Sequence, residues 1–275
     1  MNETVPESEL LLSCRGISKF FGAMAAVDNV DLDVRRGEVL GIGGPNGAGK
    51  TTLFDVISGL TQAEIGSIRF MGKEILGLSP WSIRHLGLAR TFQLNAGFDT
   101  LTVRENVLVA GYFGHHNRIV PRLVWEPEVV RRVDEVLEFV SMSAKADLEV
   151  RNLSVLDRKR LMVASAMVTS PSLILLDEPV GGLNPDEIDD MLEVIGKLQA
   201  VGTTLIVIEH VMRFLVQLAT RLVILHHGEK IYEGSPESLA HDATVVEVYL
   251  GEGTSNWLKE QAAQRARDGR TTSQP

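Results

Sequence analysis

A glycine-rich stretch that ends in lysine and threonine offers the clearest chemistry in the sequence. Residues 44–51 read GPNGAGKT, with an apolar run before them and a helical pattern after them. Glycines let successive backbone N–H groups point at phosphate oxygens, and the following helix adds the positive end of its dipole. In this pattern Lys50 reaches the β- and γ-phosphates of a nucleoside triphosphate, and the Thr51 hydroxyl binds Mg²⁺. The predicted phosphate-binding residues are Gly44, Pro45, Asn46, Gly47, Ala48, Gly49, Lys50, Thr51 and Thr52.

Two consecutive acids follow a second apolar run and supply the other half of the predicted chemistry. Residues 173–176 read LILL, and Asp177 and Glu178 come directly after them. A buried strand that ends in acids brings carboxylates beside the phosphates, so we expect Asp177 to hold the Mg²⁺ shell. Glu178 is placed to orient or deprotonate the attacking water. With the phosphate loop, these acids predict an enzyme that hydrolyses a nucleoside triphosphate.

The elements that must position these residues change character along the chain. The first third reads as short strands with turns, including a hairpin around Gly72, and residues 103–153 have helical periodicity. Within the helical part, residues 111–121 carry Gly, His and Asn and are predicted as a loop. Strands and helices then alternate, which is typical of a parallel sheet. The predicted fold class is α/β: a phosphate-loop core with a parallel sheet, an N-terminal antiparallel β subdomain and an inserted α-helical subdomain at about residues 95–155.

The bulk composition restricts the class of protein. The 275 residues are 44% hydrophobic and 23% charged, as in an ordinary folded protein. Lys plus Arg number 27 against 36 for Asp plus Glu, which argues against a nucleic-acid partner. The single cysteine, Cys14, excludes an intrachain disulfide and is expected to pack as a small apolar residue. No apolar run has the length of a membrane helix and no export signal is visible, so we expect a soluble protein or one held at a membrane by a partner.

Together, the phosphate loop and the acid pair resemble those of the nucleotide-binding subunits of ABC transporters, and the likeness covers residues 10–251. The resemblance implies ATP and Mg²⁺ as cofactors and a nucleotide-binding domain at 9–251. The composition of the remaining residues predicts a polar tail at 252–275. It also implies a peripheral position at the cytoplasmic face of the inner or plasma membrane, on membrane permease subunits. A second ATPase subunit is expected in a heterodimer, with a homodimer as the alternative.

The resemblance assigns roles to residues whose types alone would not. Gln93 matches the glutamine that contacts Mg²⁺ and the attacking water, and His210 matches the histidine that contacts the γ-phosphate. Phe21 matches the aromatic residue that stacks on adenine, and residues 181–184 match the loop that crosses the dimer interface. Without the resemblance, Gln93 would be read as a surface amide, His210 as a structural histidine and Phe21 as a core aromatic.

The signature motif of that family, usually Leu-Ser-Gly-Gly-Gln, falls at residues 153–157, which here read LSVLD. Ser154 is retained and could cap the following helix while donating to a γ-phosphate. Leu156 puts a bulky side chain where the motif approaches the ATP of the opposite subunit, and Asp157 brings negative charge toward that phosphate. We therefore expect an asymmetric ATPase, with hydrolysis mainly at the site built on this chain's own phosphate loop.

The basic triplet of residues 158–160, Arg-Lys-Arg, follows directly. Three adjacent cations could indicate nucleic-acid binding, but the acidic balance of the chain disfavours that interpretation. We expect either a basic helix face near the ATP of the partner or a solvated face.

Finer features resemble the importers of branched-chain amino acids and related amides or urea. They are the runs at residues 87–93 and 105–109 and the ends at 234–237 and 248–251. ATPases of lipopolysaccharide exporters share the Tyr-Leu-Gly ending, so such an exporter is the alternative, as is a weakly hydrolysing regulatory subunit. A non-transport ABC clamp would usually carry two nucleotide domains or a long coiled coil, and neither is visible in the sequence.

Overall fold

The computed structural model describes residues 10–92, 97–115 and 125–250 of the chain. The strands are β1 (Leu10–Phe21), β2 (Met24–Arg35), β3 (Val39–Gly43), β4 (Ile65–Phe70), β5 (Lys73–Glu74), β6 (Leu88–Arg90), β7 (Leu173–Asp177), β8 (Thr204–Ile208), β9 (Arg221–His226) and β10 (Glu229–Gly234). The helices are α1 (Lys50–Ile57), α2 (Pro80–His85), α3 (Val103–His115), α4 (Pro127–Phe139), α5 (Val155–Met167), α6 (Pro185–Ala200), α7 (Met212–Leu218), α8 (Pro236–Leu239) and α9 (Ala243–Val245).

The N-terminal strands form an antiparallel sheet with the order β2-β1-β4-β5. Its central strand β1 places Cys14 opposite Leu32 of β2 and opposite Ile68 of β4, and all three side chains are buried. Burial raises the pKa of the Cys14 thiol to about 12, which keeps it neutral. The cysteine therefore packs as a small apolar residue, as predicted.

The second sheet has the order β10-β9-β3-β8-β7-β6. Strands β9, β3, β8, β7 and β6 are mutually parallel, and only the edge strand β10 is antiparallel to its neighbour. Every residue of β3, β7 and β8 is buried, as expected for parallel strands that are covered on both faces. Because these strands run in one direction, their carboxyl ends meet at one edge of the sheet.

Helix α1 joins the two sheets into one core. Its Leu53 and Phe54 are fully buried and belong to the same apolar cluster as Leu12 of the antiparallel sheet and Leu40 of the parallel sheet. A second cluster covers the opposite face of the parallel sheet and includes residues of α3 to α7. The predicted α/β class, with a parallel core sheet and an antiparallel N-terminal sheet, is confirmed.

The predicted loop at residues 111–121 is wrong at its beginning, because α3 continues to His115. The glycines that suggested a loop lie where α3 meets the end of α5. A Cβ atom on Gly111 would lie 3.0 Å from the Val168 side chain, and one on Gly114 only 2.1 Å from that of Thr169. These glycines therefore permit close helix packing and do not break the helix.

The helices between β6 and α5 correspond to the predicted insertion. Helix α3 contacts both α4 and α5, and α4 buries Val129, Val133, Val136 and Leu137. The limits of the nucleotide-binding domain, the insertion and the polar tail stay predictions. Among the described helices, none is both long enough and apolar enough to span a membrane.

Candidate functional site

The predicted chemistry gathers where neighbouring parallel strands end. Ile42 of β3 is paired with Ile208 of β8, and Ile208 is paired with Asp177 of β7. The phosphate loop begins directly after the end of β3, and His210 lies two residues after the end of β8. Arg90 ends β6, the next strand along the sheet. A single sheet edge therefore brings together residues that are far apart in sequence.

The phosphate loop has a backbone that other residues could not adopt. Gly44, Gly47 and Gly49 have φ angles of 142°, 79° and 98°. A Cβ atom on Gly44 would lie 2.2 Å from the carbonyl oxygen of Leu225, and one on Gly49 would lie 2.2 Å from that of Ala26. Only glycine avoids both the unfavourable φ and these clashes. The loop leads straight into α1, whose first turn has no side-chain cap.

Lys50 bends back over this loop. Its Nζ donates hydrogen bonds to the carbonyl oxygens of Gly44 (2.7 Å) and Pro45 (2.9 Å). Only 7% of the residue is exposed, and burial lowers the pKa of its ammonium group. Three carboxylates at the strand edge oppose that shift by favouring the charged form; they are Glu178, Asp177 and Glu209. At the start of α1, Thr51 is exposed and Thr52 is half-buried.

Asp177 is almost completely buried, with 2% of its surface exposed. Its Oδ2 accepts a hydrogen bond from Arg90 Nη2 at 2.9 Å, and Arg90 also bonds Asp55 at 2.6 Å. Burial raises the pKa of the Asp177 carboxyl, and the Arg90 hydrogen bond opposes that rise. The second carboxylate oxygen, Oδ1, is buried and has no hydrogen-bond partner among the described residues. This oxygen is therefore available to a ligand.

Glu178 sits in a left-handed backbone conformation with φ 48°. Such a conformation is unfavourable for a residue with a side chain and persists where surrounding contacts impose it. Glu178 N donates to Ile208 O at 2.9 Å, and Glu178 O accepts from Lys159 Nζ at 2.7 Å. The Glu178 Oε1 atom lies 3.9 Å from His210 Nδ1, and half of the His210 side chain is exposed. The structure therefore brings together two of the predicted catalytic residues, Glu178 and His210.

Glu209 is a buried member of this site that the sequence reasoning missed. It is 0% exposed, and its Oε1 accepts the N–H of Val180 at 2.9 Å. Its Oε2 accepts the N–H groups of His210 at 2.9 Å and Val211 at 3.2 Å. Burial raises the pKa of its carboxyl, and these N–H donors oppose the rise. Its position directly after an apolar strand is the signal that identified Asp177, and it could have been used here.

The other predicted site residues lie outside this edge or outside the described residues. Phe21 ends β1 with 52% of its surface exposed, and Lys19 Nζ lies 5.2 Å from its ring centroid. Gln93 lies outside the described residues, so its predicted contacts with Mg²⁺ and water stay predictions.

In the variant signature segment, residues 153–157, the polar side chains bond to one another and to a neighbouring lysine. Ser154 caps α5, its hydroxyl accepting the N–H of Asp157 at 3.2 Å and donating to the Asp157 carboxylate at 2.9 Å. Lys145 Nζ lies 2.5 Å from the same carboxylate. Leu156 is buried at 8% exposure, while Val155 is 51% exposed. The charge of Asp157 is thus paired within the chain.

Of the two interpretations of residues 158–160, the solvated face is wrong, and a position near the ATP of a partner subunit stays a prediction. Lys159 is 9% exposed and reaches Glu178, as described above. Arg158 and Arg160 have side chains that are 18% and 16% exposed, and they pair with Asp99 and Asp190. These cations are committed to contacts within the chain.

Known proteins resemble this chain in sequence and in fold. A family model described as ABC transporter matches residues 27–181. The probable branched-chain amino acid transport ATP-binding protein LivG of Archaeoglobus fulgidus is 35% identical over 246 residues, covering 88% of this chain and 95% of that relative. The high-affinity LivG protein of Salmonella typhimurium is 34% identical over 253 residues, covering 89% and 99%. An ATP-binding cassette of an ABC transporter solved in its ADP conformation gives a TM-score of 0.81 at 32% identity, covering 88% and 99%.

Proposed function

This chain belongs to the ABC transporter family as an ATP-hydrolysing subunit, and from that premise we propose that it drives the import of branched-chain amino acids or related amides, including urea. One observation carries the solute class. The match to two relatives named for branched-chain amino acid transport extends over 88% and 89% of this chain and nearly all of theirs. Runs at residues 87–93 and 105–109 support the same class.

The residues at the strand edge divide the proposed hydrolysis between them. The loop at 44–51 holds the phosphates with its backbone N–H groups, and the Lys50 ammonium neutralises them once it leaves the loop carbonyls. Glu178 orients or deprotonates the attacking water, and His210, 3.9 Å away, contacts the γ-phosphate. Phe21 is proposed to stack on adenine, since its ring is exposed.

The residues at this edge fit a divalent cation. Asp177 Oδ1 is a buried carboxylate oxygen with no hydrogen-bond partner in the described part of the chain. It is a hard anionic ligand of the kind that Mg²⁺ prefers. The exposed hydroxyl of Thr51 and the Asp177 carboxylate would hold the ion, with Gln93 as a further proposed ligand. When bound, Mg²⁺ would offset negative charge on the phosphates. Burial raises the pKa of the Asp177 carboxyl, and a bound cation would oppose that rise.

We further propose that the chain works at the cytoplasmic face of the inner or plasma membrane, on permease subunits. A second ATPase subunit completes the unit, in a heterodimer. In that arrangement Ser154 faces the ATP of the other subunit. The variant segment at 153–157 then makes hydrolysis asymmetric, with the site on this chain's own loop the more active one.

Uptake by living cells tests the solute class. Cells that lack the chain are expected to lose uptake of labelled leucine, and the wild-type chain should restore it. Lys50→Ala should not restore uptake, whereas Lys197→Ala should, because Lys197 is an exposed lysine of α6 that pairs with Glu193 on the same helix. Unlabelled valine, short amides and urea as competitors then define the solute. Normal leucine, amide and urea uptake in the deleted cells, with a defect in surface lipopolysaccharide, would replace import by the exporter alternative.

The weakly hydrolysing regulatory subunit is a second candidate, because the first turn of α5 carries Asp157 where the family has glutamine. In the purified complex, Asp157→Gln alone is the clean test. If the segment impairs the partner's site, turnover at that site is expected to rise tenfold or more, roughly the effect of restoring one phosphate-facing donor. The rise is measured in a complex whose other site is silenced by Glu178→Gln, because an active site on this chain's own loop would mask it. Unchanged turnover would show that the segment is competent as it stands.

A further inference from the structure

Three backbone atoms of the turn that carries Glu178 make hydrogen bonds to other elements. The N–H of Glu178 bonds Ile208 O at 2.9 Å, which is an ordinary continuation of the sheet. Its carbonyl oxygen accepts from Lys159 Nζ at 2.7 Å, and the N–H of Val180 donates to Glu209 Oε1 at 2.9 Å. The last two contacts come from buried charged side chains on other elements. They surround a residue whose φ of 48° is unfavourable on its own.

Lys159 is costly to bury and therefore calls for a reason. It extends from α5 with 9% of its surface exposed, and burial lowers the pKa of its ammonium group. The attraction of nearby carboxylates, led by that of Glu209, opposes this shift. Its one hydrogen bond to a described residue goes to the carbonyl oxygen of Glu178.

Glu209 joins two segments with one carboxylate. One oxygen takes the N–H of Val180 in the turn after β7. The other oxygen takes the N–H groups of His210 and Val211 in the segment after β8. If one segment moves relative to the other, at least one of these hydrogen bonds to Glu209 is strained or broken.

We propose that Lys159 and Glu209, here called the turn clamp, are positioning residues that hold residues 178–180 in place and so aim the Glu178 carboxylate at the attacking water. The inference rests on the proposed role of Glu178 in hydrolysis. Neither side chain needs to touch the nucleotide. Because Lys159 belongs to α5 and Glu209 precedes His210, the clamp also ties the variant signature helix and the histidine segment to one turn.

Amide hydrogen exchange tests the clamp without relying on hydrolysis. In the full-length chain, Lys159→Met keeps the apolar stem and removes the donor, while Glu209→Gln keeps the shape and turns one acceptor into an NH₂ group. Each is expected to speed exchange across residues 178–184 by about tenfold or more, as a local opening. The control Lys197→Met, on the exposed face of α6, should leave exchange unchanged. Unchanged exchange at 178–184 in the clamp variants, or an equal rise throughout the parallel sheet, would overturn the proposal.

Steady-state kinetics of the purified transporter complex test the aim of Glu178. Misplacing a reacting group by about 1 Å can cost on the order of 100-fold, so each clamp variant is expected to lower kcat by about 10- to 100-fold. KM for ATP should stay within about twofold, because the phosphate loop is intact. A purely structural role would instead lower the melting temperature and leave the kcat of the folded fraction unchanged.

The double variant asks whether the two residues act on one turn. Lys159→Met with Glu209→Gln should lose little more kcat than the worse single variant, since either loss releases the same turn. Fully additive losses would contradict a shared clamp. If the wild-type complex hydrolyses no ATP, the proposed function fails, and the exchange experiment still decides the clamp.

Discussion

Helices α1 and α5 begin in opposite ways, although both N-termini are expected to meet phosphate. Helix α1 starts after Gly49 with no side-chain cap and no acid in its first turn. Helix α5 starts after Ser154, whose hydroxyl takes the N–H of Asp157, and the Asp157 carboxylate lies within that first turn. The first N-terminus leaves its dipole to a ligand, while the second has an anion of its own.

This difference distinguishes the two phosphate-facing parts of an ABC subunit, the phosphate loop and the signature segment. The loop before α1 is shaped by positive-φ glycines and keeps Lys50 on loop carbonyls that a phosphate can replace. At the start of α5, the N–H of Asp157 is already bonded to the Ser154 hydroxyl, and the Asp157 carboxylate is paired with Ser154 and Lys145. We infer that the chain is built to bind ATP strongly on its own loop and weakly across the dimer. The following variants test the contrast, first in affinity for ATP and then in stability, where the expected losses decrease from one variant to the next.

Gly49→Ala should abolish the binding function of α1's N-terminus. The added Cβ would lie 2.2 Å from Ala26 O at a residue with φ 98°, so the loop must deform. We expect affinity for ATP to fall by at least about 100-fold, or roughly 3 kcal/mol, measured by equilibrium titration. Gly196→Ala in α6 is the matched control, since it has open space and should raise stability by about 0.5–1 kcal/mol. Retained affinity in Gly49→Ala would contradict the loop geometry.

Leu156→Gly should destabilise the fold before it improves any phosphate contact. Leu156 is 8% exposed and belongs to the core cluster, so its removal leaves a cavity at the start of a helix. A loss of about 3–5 kcal/mol is expected from urea unfolding, as for other buried leucines. Val155→Gly, at a residue that is 51% exposed, should cost about 1 kcal/mol or less. Equal losses in the two variants would mean that Leu156 is not packed as described.

Asp157→Asn should weaken the start of α5 by removing its own anion. The carboxylate is 4% exposed and paired with Lys145 and Ser154, and a partly buried charge at a helix N-terminus contributes about 1–2 kcal/mol. Asp186→Asn, in the first turn of α6 where the Asn184–Glu187 capping box remains, should cost less, about 0.5 kcal/mol. Urea titrations of both variants measure the difference. Greater stability in Asp157→Asn would show that the carboxylate opposes folding.

Ser154→Ala should have the smallest effect of the series. It removes the hydroxyl that accepts the N–H of Asp157, and loss of such a cap costs about 1 kcal/mol. Binding of ATP to the isolated full-length chain should not change, because the phosphate loop at 44–51 leads into α1 and does not involve α5. A large loss of that binding would contradict the separation of the two N-termini.

Much of the fold and of the phosphate site follows from local pattern. The GPNGAGKT loop and the LILLDE run each carry their chemistry within a few residues, and the strand and helix alternation fixes a parallel sheet that brings them to one edge. Contacts between distant segments do not appear in such patterns. Arg90, Lys159 and Glu209 acquire their partners only when β6, α5 and β8 pack around β7.

Residue type alone was misleading in two places. The glycines near the end of α3 suggested a loop, although they serve helix packing. The basic triplet at 158–160 suggested a solvated face, although each side chain has a partner within the chain. In both cases the deciding fact is the neighbouring element, which sequence spacing does not identify.

The most direct test of the central claim compares Mg-ATP binding and turnover in the wild-type complex and in Glu178→Gln. We expect the wild type to bind and hydrolyse Mg-ATP. The variant should bind it within about twofold of the wild-type affinity while its turnover falls by about 100-fold or more, because the loop is intact and the water has lost its base. Absence of Mg-ATP binding in the wild type, or full turnover in Glu178→Gln, would contradict the proposed roles of the phosphate loop and of Glu178.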